Sequence, residues 1–255
     1  MNWYERWFGQ EYLLVYEHRD IREAGREIEA VRSLLNLTEN DLVLYLCCGP
    51  GRHDSPLARM GCRVIGLDYS MELLKLAREG IQPGSPYPVY VRADARKIPF
   101  RDEAFDVVLN LFTSFGYFSD EENRGFIRSI ARLLKPGGRY YIDYLNPRRV
   151  KNNLAEESTR ERDGITITEK RRIDPFSRRI EKTILLRLED HVQMFYESVR
   201  LYEKEEMLAI LETAGLGVEP ILGASSGEPF GPESERMIFY GKKQNLRQDN
   251  RIKAG

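Results

Sequence analysis

Cysteine is scarce in this chain, with three in 255 residues, at positions 47, 48 and 62. So few, so placed, exclude a disulfide framework. Cys47 and Cys48 are neighbours, a spacing that suits neither a bridge between them nor a zinc knuckle. Cys62 lies in an apolar strand pattern, so all three are expected to be reduced and non-catalytic, and no metal site is expected. Excess charge of either sign is also missing. Lysine plus arginine number 39 against 40 for aspartate plus glutamate, which leaves no global field to draw the protein onto nucleic acid or a membrane. No apolar run is long enough to span a bilayer. The segment MNWYERWFGQEY mixes charges with aromatics and has no apolar signal core, so a cytoplasmic protein is the default expectation. The length allows one α/β domain with an elaboration, or two small domains.

What is present is alternation. Short apolar or β-branched runs at 42–46, 63–67, 88–91, 105–109 and 139–145 are separated by helical stretches. One helix is expected after the glycines at 49 and 51, with Leu57, Ala58 and Met60, and another from Ser70, with Leu73, Leu74 and Ala77 on one face. A third starts at Ser119-Asp120-Glu121-Glu122, a capping-box pattern. It carries Phe126, Ile127, Ile130, Leu133 and Leu134 and is stopped by Lys135-Pro136-Gly137-Gly138. Repeated β-α units with buried strands imply an α/β, Rossmann-like, doubly wound and mostly parallel sheet with helices on both faces, placed at 41–146. Ahead of it, 1–40 read as an N-terminal helical collar crowded with Trp3, Tyr4, Trp7, Phe8, Tyr12 and Tyr16. Residues 165–202 change to period-two alternation with turn chemistry at 174–177 and 189–190. An antiparallel β insertion over 147–202 is therefore expected, as a lid or a homodimer contact. A helix at 203–213 and strands at 218–222 and 236–240 close the core through 243, and 244–255 form a polar tail.

The run LVLYLCCGPGRH, residues 42–53, is a strand breaking into a glycine loop and then a helix. That arrangement aims backbone N–H groups and a helix N-terminus at a ligand. A dinucleotide fails, because G-x-G-x-x-G counted from Gly49 puts Gly51 in place but Asp54 where the third glycine belongs. Its charge would repel a pyrophosphate, and Pro50 removes a donor. No G-K-[ST] follows, so a P-loop fails too. The ligand should carry less negative charge and lie flat against the loop.

VLYLCCGPGR resembles the first motif of class I S-adenosylmethionine-dependent methyltransferases, a strand running into E/D-x-G-x-G-x-G. Gly49 and Gly51 match the second and third glycines, Cys47 replaces the first with Cys48 beside it, and Tyr45 stands where the family usually has an acid. In VIGLDYS the resemblance assigns Asp68 to the ribose hydroxyls, with Tyr69 and Met71 flanking the adenine. In VRADARKIPF it assigns Asp94 to the adenine amino group, with Ala95 beside it. FDVVLNLFTSFGYF resembles the fourth-strand motif, with Asn110, Leu111 and Phe112 under the cofactor, and LLKPGGRYYIDYL matches the turn into the fifth strand. Five motifs in order cover about 41–146.

The resemblance implies an enzyme that moves a methyl group from S-adenosylmethionine to an O, N or C nucleophile of a small-molecule acceptor and leaves S-adenosylhomocysteine. Alignment and exclusion of water carry such a transfer. Tyr16 and His18 are the candidate bases, and Tyr12, Arg19, Phe115 and Tyr117 the candidate acceptor contacts. His53 follows the loop, near the cofactor tail or capping a helix, and His191 reads as structural. Without an acid at position 45, the cofactor's amino-acid tail is expected to lean on the backbone of 47–51 and on Tyr12, Tyr16 or Arg19, leaving Tyr45 as a packing residue. Two other readings stay open. Arg148, Arg149, Lys151, Lys170, Arg171, Arg172, Arg178 and Arg179 form a basic cluster that would suit a tRNA- or rRNA-modifying enzyme, and Tyr45 would suit a non-catalytic cofactor-binding relative.

Overall fold

A computed structural model describes residues 2–16, 21–81, 84–85 and 87–244. Helices α1 (Tyr4–Trp7), α2 (Gln10–Tyr16) and α3 (Ile21–Leu35) precede β1 (Leu42–Leu46). Then come α4 (Asp54–Arg59), β2 (Arg63–Asp68), α5 (Met71–Glu79), β3 (Val89–Arg92), β4 (Phe105–Asn110), α6 (Asp120–Leu133) and β5 (Leu134–Leu145). After α7 (Pro147–Asn152) the chain runs through β6 (Glu157–Arg162), β7 (Ile165–Asp174), β8 (Arg179–Arg187) and β9 (Val192–Arg200), and ends in α8 (Lys204–Thr213) and β10 (Arg236–Lys242).

The main sheet has the order β10-β5-β4-β1-β2-β3. Its pairings are parallel except for β10 against β5. From β1 the chain moves outward to β2 and β3, then returns to β4 on the other side of β1. Such a reversal opens a crevice at the carboxyl ends of the two central strands. β1 is apolar at consecutive positions because both of its faces are covered. Val43 and Tyr45 pack with Ile28 and Val31 of α3, Leu57 of α4 and Leu74 of α5. Leu44 and Leu46 pack with Phe126 and Ile130 of α6 and Met207 and Leu211 of α8. Local signals agree with these elements. The Ser119 hydroxyl accepts from the Glu122 N–H while Glu122 accepts from the Ser119 N–H, the reciprocal bonds of a capping box.

The second sheet is antiparallel, in the order β6-β7-β8-β9. Its inner face holds the collar: Trp7 and Val15 form one buried cluster with Ile167, Ile184 and Leu186, and Phe195 packs against it. Two details differ from the sequence reading. β6, of sequence ESTRER, has no apolar alternation, and its place is set by pairing with β7 from Glu157↔Lys170 to Arg162↔Ile165. Residues 218–222 do not form a strand; Pro220 lacks a donor there, and only isolated bridges from Leu222 to Pro229 and Ile238 remain. The three cysteines are free. Among the described residues, no helix is long and apolar enough to cross a membrane.

Candidate cofactor and acceptor site

The loop between β1 and α4 lies at the crevice. Cys47, Gly49 and Gly51 all have left-handed backbone, with φ of 57°, 57° and 75°. Glycine adopts this at no cost, whereas Cys47 stores strain of about 1–3 kcal/mol. Gly51 has a second reason to be glycine. A Cβ there would collide with the Tyr90 hydroxyl and approach the Ala77 Cβ to 3.0 Å, so this residue packs the loop onto β3 and α5. Asp68, at the end of β2, fastens the loop from the other side. Its Oδ2 accepts from the Gly49 N–H and its Oδ1 from the Ser70 N–H, both at 2.8 Å. Burial pushes this carboxyl above its ordinary value, although those backbone bonds oppose the shift.

A cavity of about 420 Å³ opens here. Cys47, Cys48, Gly49 and Asp68 form one side, Tyr69, Asp94 and Ala95 another, and Leu111 and Phe112 a third. Tyr4, Phe8, Tyr12 and Tyr16 of the collar roof it, with Tyr117 and Phe118. Four of the expected residues lie elsewhere. Gly51 is under the loop, as described. Met71 is at the outer start of α5, 36% exposed. Asn110 is fully buried and ties β4 to β1 through a 3.2 Å bond from Nδ2 to the Leu46 carbonyl. Phe115 does not line the cavity. The chain turns at Gly116, φ 97°, which sends Phe115 into the core against Phe126, Tyr144 and Tyr202 and leaves Tyr117 on the cavity. His18 and Arg19 lie outside the described residues.

Asp94 is already engaged. Arg96 Nε bonds both of its oxygens at 3.0 and 3.1 Å, and Nη2 bonds Oδ2 at 2.7 Å. Burial alone would raise the Asp94 carboxyl, but these bonds outweigh it and hold the group below its ordinary value. The Arg96 guanidinium also lies over the rings of Tyr4 and Phe118, 5.6 and 5.1 Å from their centroids, so the pair anchors the roof. On the opposite wall Phe112 and Thr113 are both left-handed, φ 64° and 52°. Asp143 Oδ2 accepts from the Phe112 N–H at 2.9 Å, while its Oδ1 pairs with Arg236 Nε at 2.6 Å. The Phe112 ring has the guanidinium carbons of Arg52 and Arg236 each 5.4 Å from its centre.

Tyr45 is more than a packing residue. Its hydroxyl is 2.8 Å from His53 Nδ1, and His53 Nε2 is 2.6 Å from a carboxylate oxygen of Glu27 on α3. Burial lowers the His53 pKa, with the Glu27 bond partly opposing. At Glu27 burial raises the pKa, but the His53 bond and the charges of His53 and Arg52 outweigh it and leave the group lowered. No local pattern announces this chain of contacts, because its members sit on three separate elements.

The inserted sheet meets the cavity through the collar and through the Tyr117–Phe118 segment. Tyr16 donates to both carboxylate oxygens of Glu197 at 2.9 Å, and Lys182 contacts Tyr16 while pairing with Glu197 at 2.9 Å and Glu169 at 3.2 Å. Burial raises the Tyr117 pKa well above its ordinary value, which keeps that phenol neutral. Most of the basic cluster is paired with neighbouring acids or carbonyls. Arg171 pairs with Glu169 at 2.8 Å, Arg172 with Glu181 at 2.6 Å and Arg178 with Glu206 at 2.7 Å. Lys151 pairs with Glu203 at 2.6 Å, and Arg179 donates to the carbonyls of Gly116, Tyr117 and Phe118. Among the described residues, no group of three or more histidine, cysteine or acidic side chains is placed to hold a metal ion.

Residues 43–138 match the protein family described as a methyltransferase domain. The match covers less than half of the chain, and that span is similar to a methyltransferase domain. Along more of the chain, it is 28% identical to the cypemycin N-terminal methyltransferase of a Streptomyces species, over 79% of this chain and 83% of that one. It is 29% identical to the demethylmenaquinone methyltransferase of Streptomyces griseus over 44% of this chain; the match spans 46% of that relative, under half its length. The fold is similar to that of the CcbJ methyltransferase from Streptomyces caelestis, with a TM-score of 0.75 at 24% identity over 87% of this chain and 90% of that one. The residues of this cavity fit the cofactor that the motifs imply. Asp68 keeps lone pairs beyond its two backbone bonds for ribose hydroxyls. Arg52, on the cavity wall, has a buried Nη1 without a hydrogen-bond partner, and the aromatic roof suits a sulfonium cation.

Proposed function

We propose that this chain is an S-adenosylmethionine-dependent methyltransferase acting on a small molecule, and that an amine is the acceptor class best suited to its site. The observation that carries the reading is Asp68, held by Gly49 and Ser70 at the edge of a cavity roofed by aromatic side chains. When bound, the cofactor supplies the activated methyl on its sulfonium. The protein's part is to place and to dry. The glycine loop, Asp68, Tyr69, Asp94, Ala95, Leu111 and Phe112 would hold the nucleoside. Tyr4, Phe8, Tyr12 and Tyr117 would exclude water and offer π-systems that favour a cationic nitrogen, and orientation of reacting groups contributes on the order of 7–11 kcal/mol. Tyr16 would relay a proton from an ammonium acceptor, its oxygen taking that proton as its own O–H proton passes to Glu197. The cypemycin relative's name refers to a chain N-terminus, which agrees with an amine. The paired state of the basic residues in the inserted sheet favours a small acceptor over RNA.

Calorimetry with S-adenosylhomocysteine tests the reading. Asp68→Ala should weaken binding by about 1–3 kcal/mol, the usual loss for charge-assisted hydrogen bonds. NAD and ATP should give no comparable thermal shift. Unchanged affinity in the variant refutes the assignment. Labelled cofactor added to a metabolite extract, with mass identification of the product, then names the acceptor.

A further inference from the structure

Phe112 reaches the cavity wall on a backbone that a phenylalanine seldom adopts. It and Thr113 are consecutive left-handed residues, and neither is a glycine that takes this conformation freely. Such a pair persists only where its surroundings fix it from several sides. Here two residues of the main sheet do so. β4 ends at Asn110, which pairs with Ile142 of β5, and Asp143 is the next residue along β5. Asp143 therefore meets the backbone that has just left the ladder. Its Oδ2 accepts from the Phe112 N–H at 2.9 Å, and its main-chain carbonyl accepts from the Thr113 N–H at 3.0 Å. Arg236 of β10 holds the other side. Its Nε bonds Asp143 Oδ1 at 2.6 Å, its Nη2 donates to the Thr113 hydroxyl, and its guanidinium lies over the Phe112 ring. Neither Asp143 nor Arg236 lines the cavity, whereas Phe112 does.

We propose that Asp143 and Arg236 are positioning residues for the cofactor, which act through Phe112 by holding its ring at the cavity wall in the conformation that receives the nucleoside. This rests on the cofactor reading above, in which Phe112 lies against that nucleoside. The strained backbone at 112 and 113 gives the ion pair its leverage. Without the pair, Phe112 would relax toward an ordinary backbone and its ring would leave the wall. Only the fraction of molecules still in the left-handed conformer would then bind well, and apparent affinity would fall by that fraction. The carboxylate is required for a geometric reason. Asp143 serves two donors at once, one at each oxygen, because an ionised carboxyl accepts at both. An asparagine accepts with its oxygen alone, so it could hold Phe112 or Arg236 while turning an N–H donor toward the other.

The test is a mutant cycle on the full chain, read by calorimetry with S-adenosylhomocysteine. Asp143→Asn should weaken binding about ten-fold, and Arg236→Gln should do the same. Phe112→Ala should cost a similar factor. Adding Asp143→Asn or Arg236→Gln to Phe112→Ala should change affinity by less than about two-fold, because the ring through which both residues act is gone. Arg236→Lys keeps a cation for Asp143 and should recover part of the loss. Residues that merely hold the sheet together would lower the melting temperature and leave the affinity of the folded protein unchanged, or would weaken binding by one factor with and without the ring. Either result overturns the positioning role while leaving the cofactor reading in place. Arg236 lies on the edge strand, so Arg236→Gln carries the cycle should Asp143→Asn fail to fold. Failure of the wild type to bind S-adenosylhomocysteine overturns the cofactor reading itself, and the positioning role with it.

Discussion

Asp54 opens α4 directly beneath the glycine loop and is fully buried, with neither carboxyl oxygen in a well-formed hydrogen bond. The side chains of Tyr90 and Cys48 lie close enough to ease its ionisation only in part. Burial moves this carboxyl from an ordinary 3.8 to about 8. The sign follows directly. The folded state keeps its proton where the unfolded state has lost it, so Asp54 costs nothing below pH 3.8 and subtracts stability as pH climbs toward 8. Each pH unit in that window is worth about 1.4 kcal/mol. Between pH 5 and 8 the loss is of order 4 kcal/mol, a large share of the roughly 5–15 kcal/mol that holds a domain folded. Asp54→Asn keeps the shape and removes the ionisation. Urea unfolding at pH 5, 6, 7 and 8 should show the variant's stability relative to wild type rising by about 4 kcal/mol between pH 5 and pH 8. His53 titrates in both proteins, so the difference between the two curves isolates Asp54. Parallel curves would mean that Asp54 is solvated or partnered in solution, and the reasoning fails.

Gly51→Ala should destabilise by about 1–3 kcal/mol, because the new methyl meets Tyr90 on a left-handed backbone, and adding Tyr90→Phe should recover part of the loss in a denaturant titration. Without recovery, backbone strain and the Ala77 contact are the cause. Trp7→Ala should cost about 3–5 kcal/mol of roof stability, since the indole is fully buried and bonds Glu197; limited proteolysis should then cut the collar and β9 faster while the main sheet stays protected.

Much of this architecture is legible in the sequence because its causes are local. β1 coincides with an apolar run, α6 with a capping box, and the left-handed turns after β1 with glycines at 49 and 51. β6 escapes because ESTRER is paired by its neighbour rather than by its own pattern. Phe115 and Tyr117 are two residues apart and read as equivalent, and only the turn at Gly116 separates core from cavity. The site's polar wiring is the least legible part. Glu27 is 26 residues from His53, and Asp143 is 31 from Phe112, so no window of sequence brings either pair together. Even Arg96, two residues beyond Asp94, takes its meaning from Tyr4 and Phe118, which lie far along the chain.

The roof is assembled from two distant stretches of chain, and this bears on its birth at the ribosome. Trp7 and Val15 emerge about 150 residues before the Ile167, Ile184 and Leu186 side chains that bury them. At about 5–20 residues per second, the collar waits roughly 8–30 s with its aromatics uncovered. The strands β1 to β5 of the main sheet emerge during that interval, so most of the cradle is made before its cover, and β10 comes last. Exposed indole and phenol rings of this kind are what holdase chaperones capture, and the collar is where a nascent copy of this protein would be held.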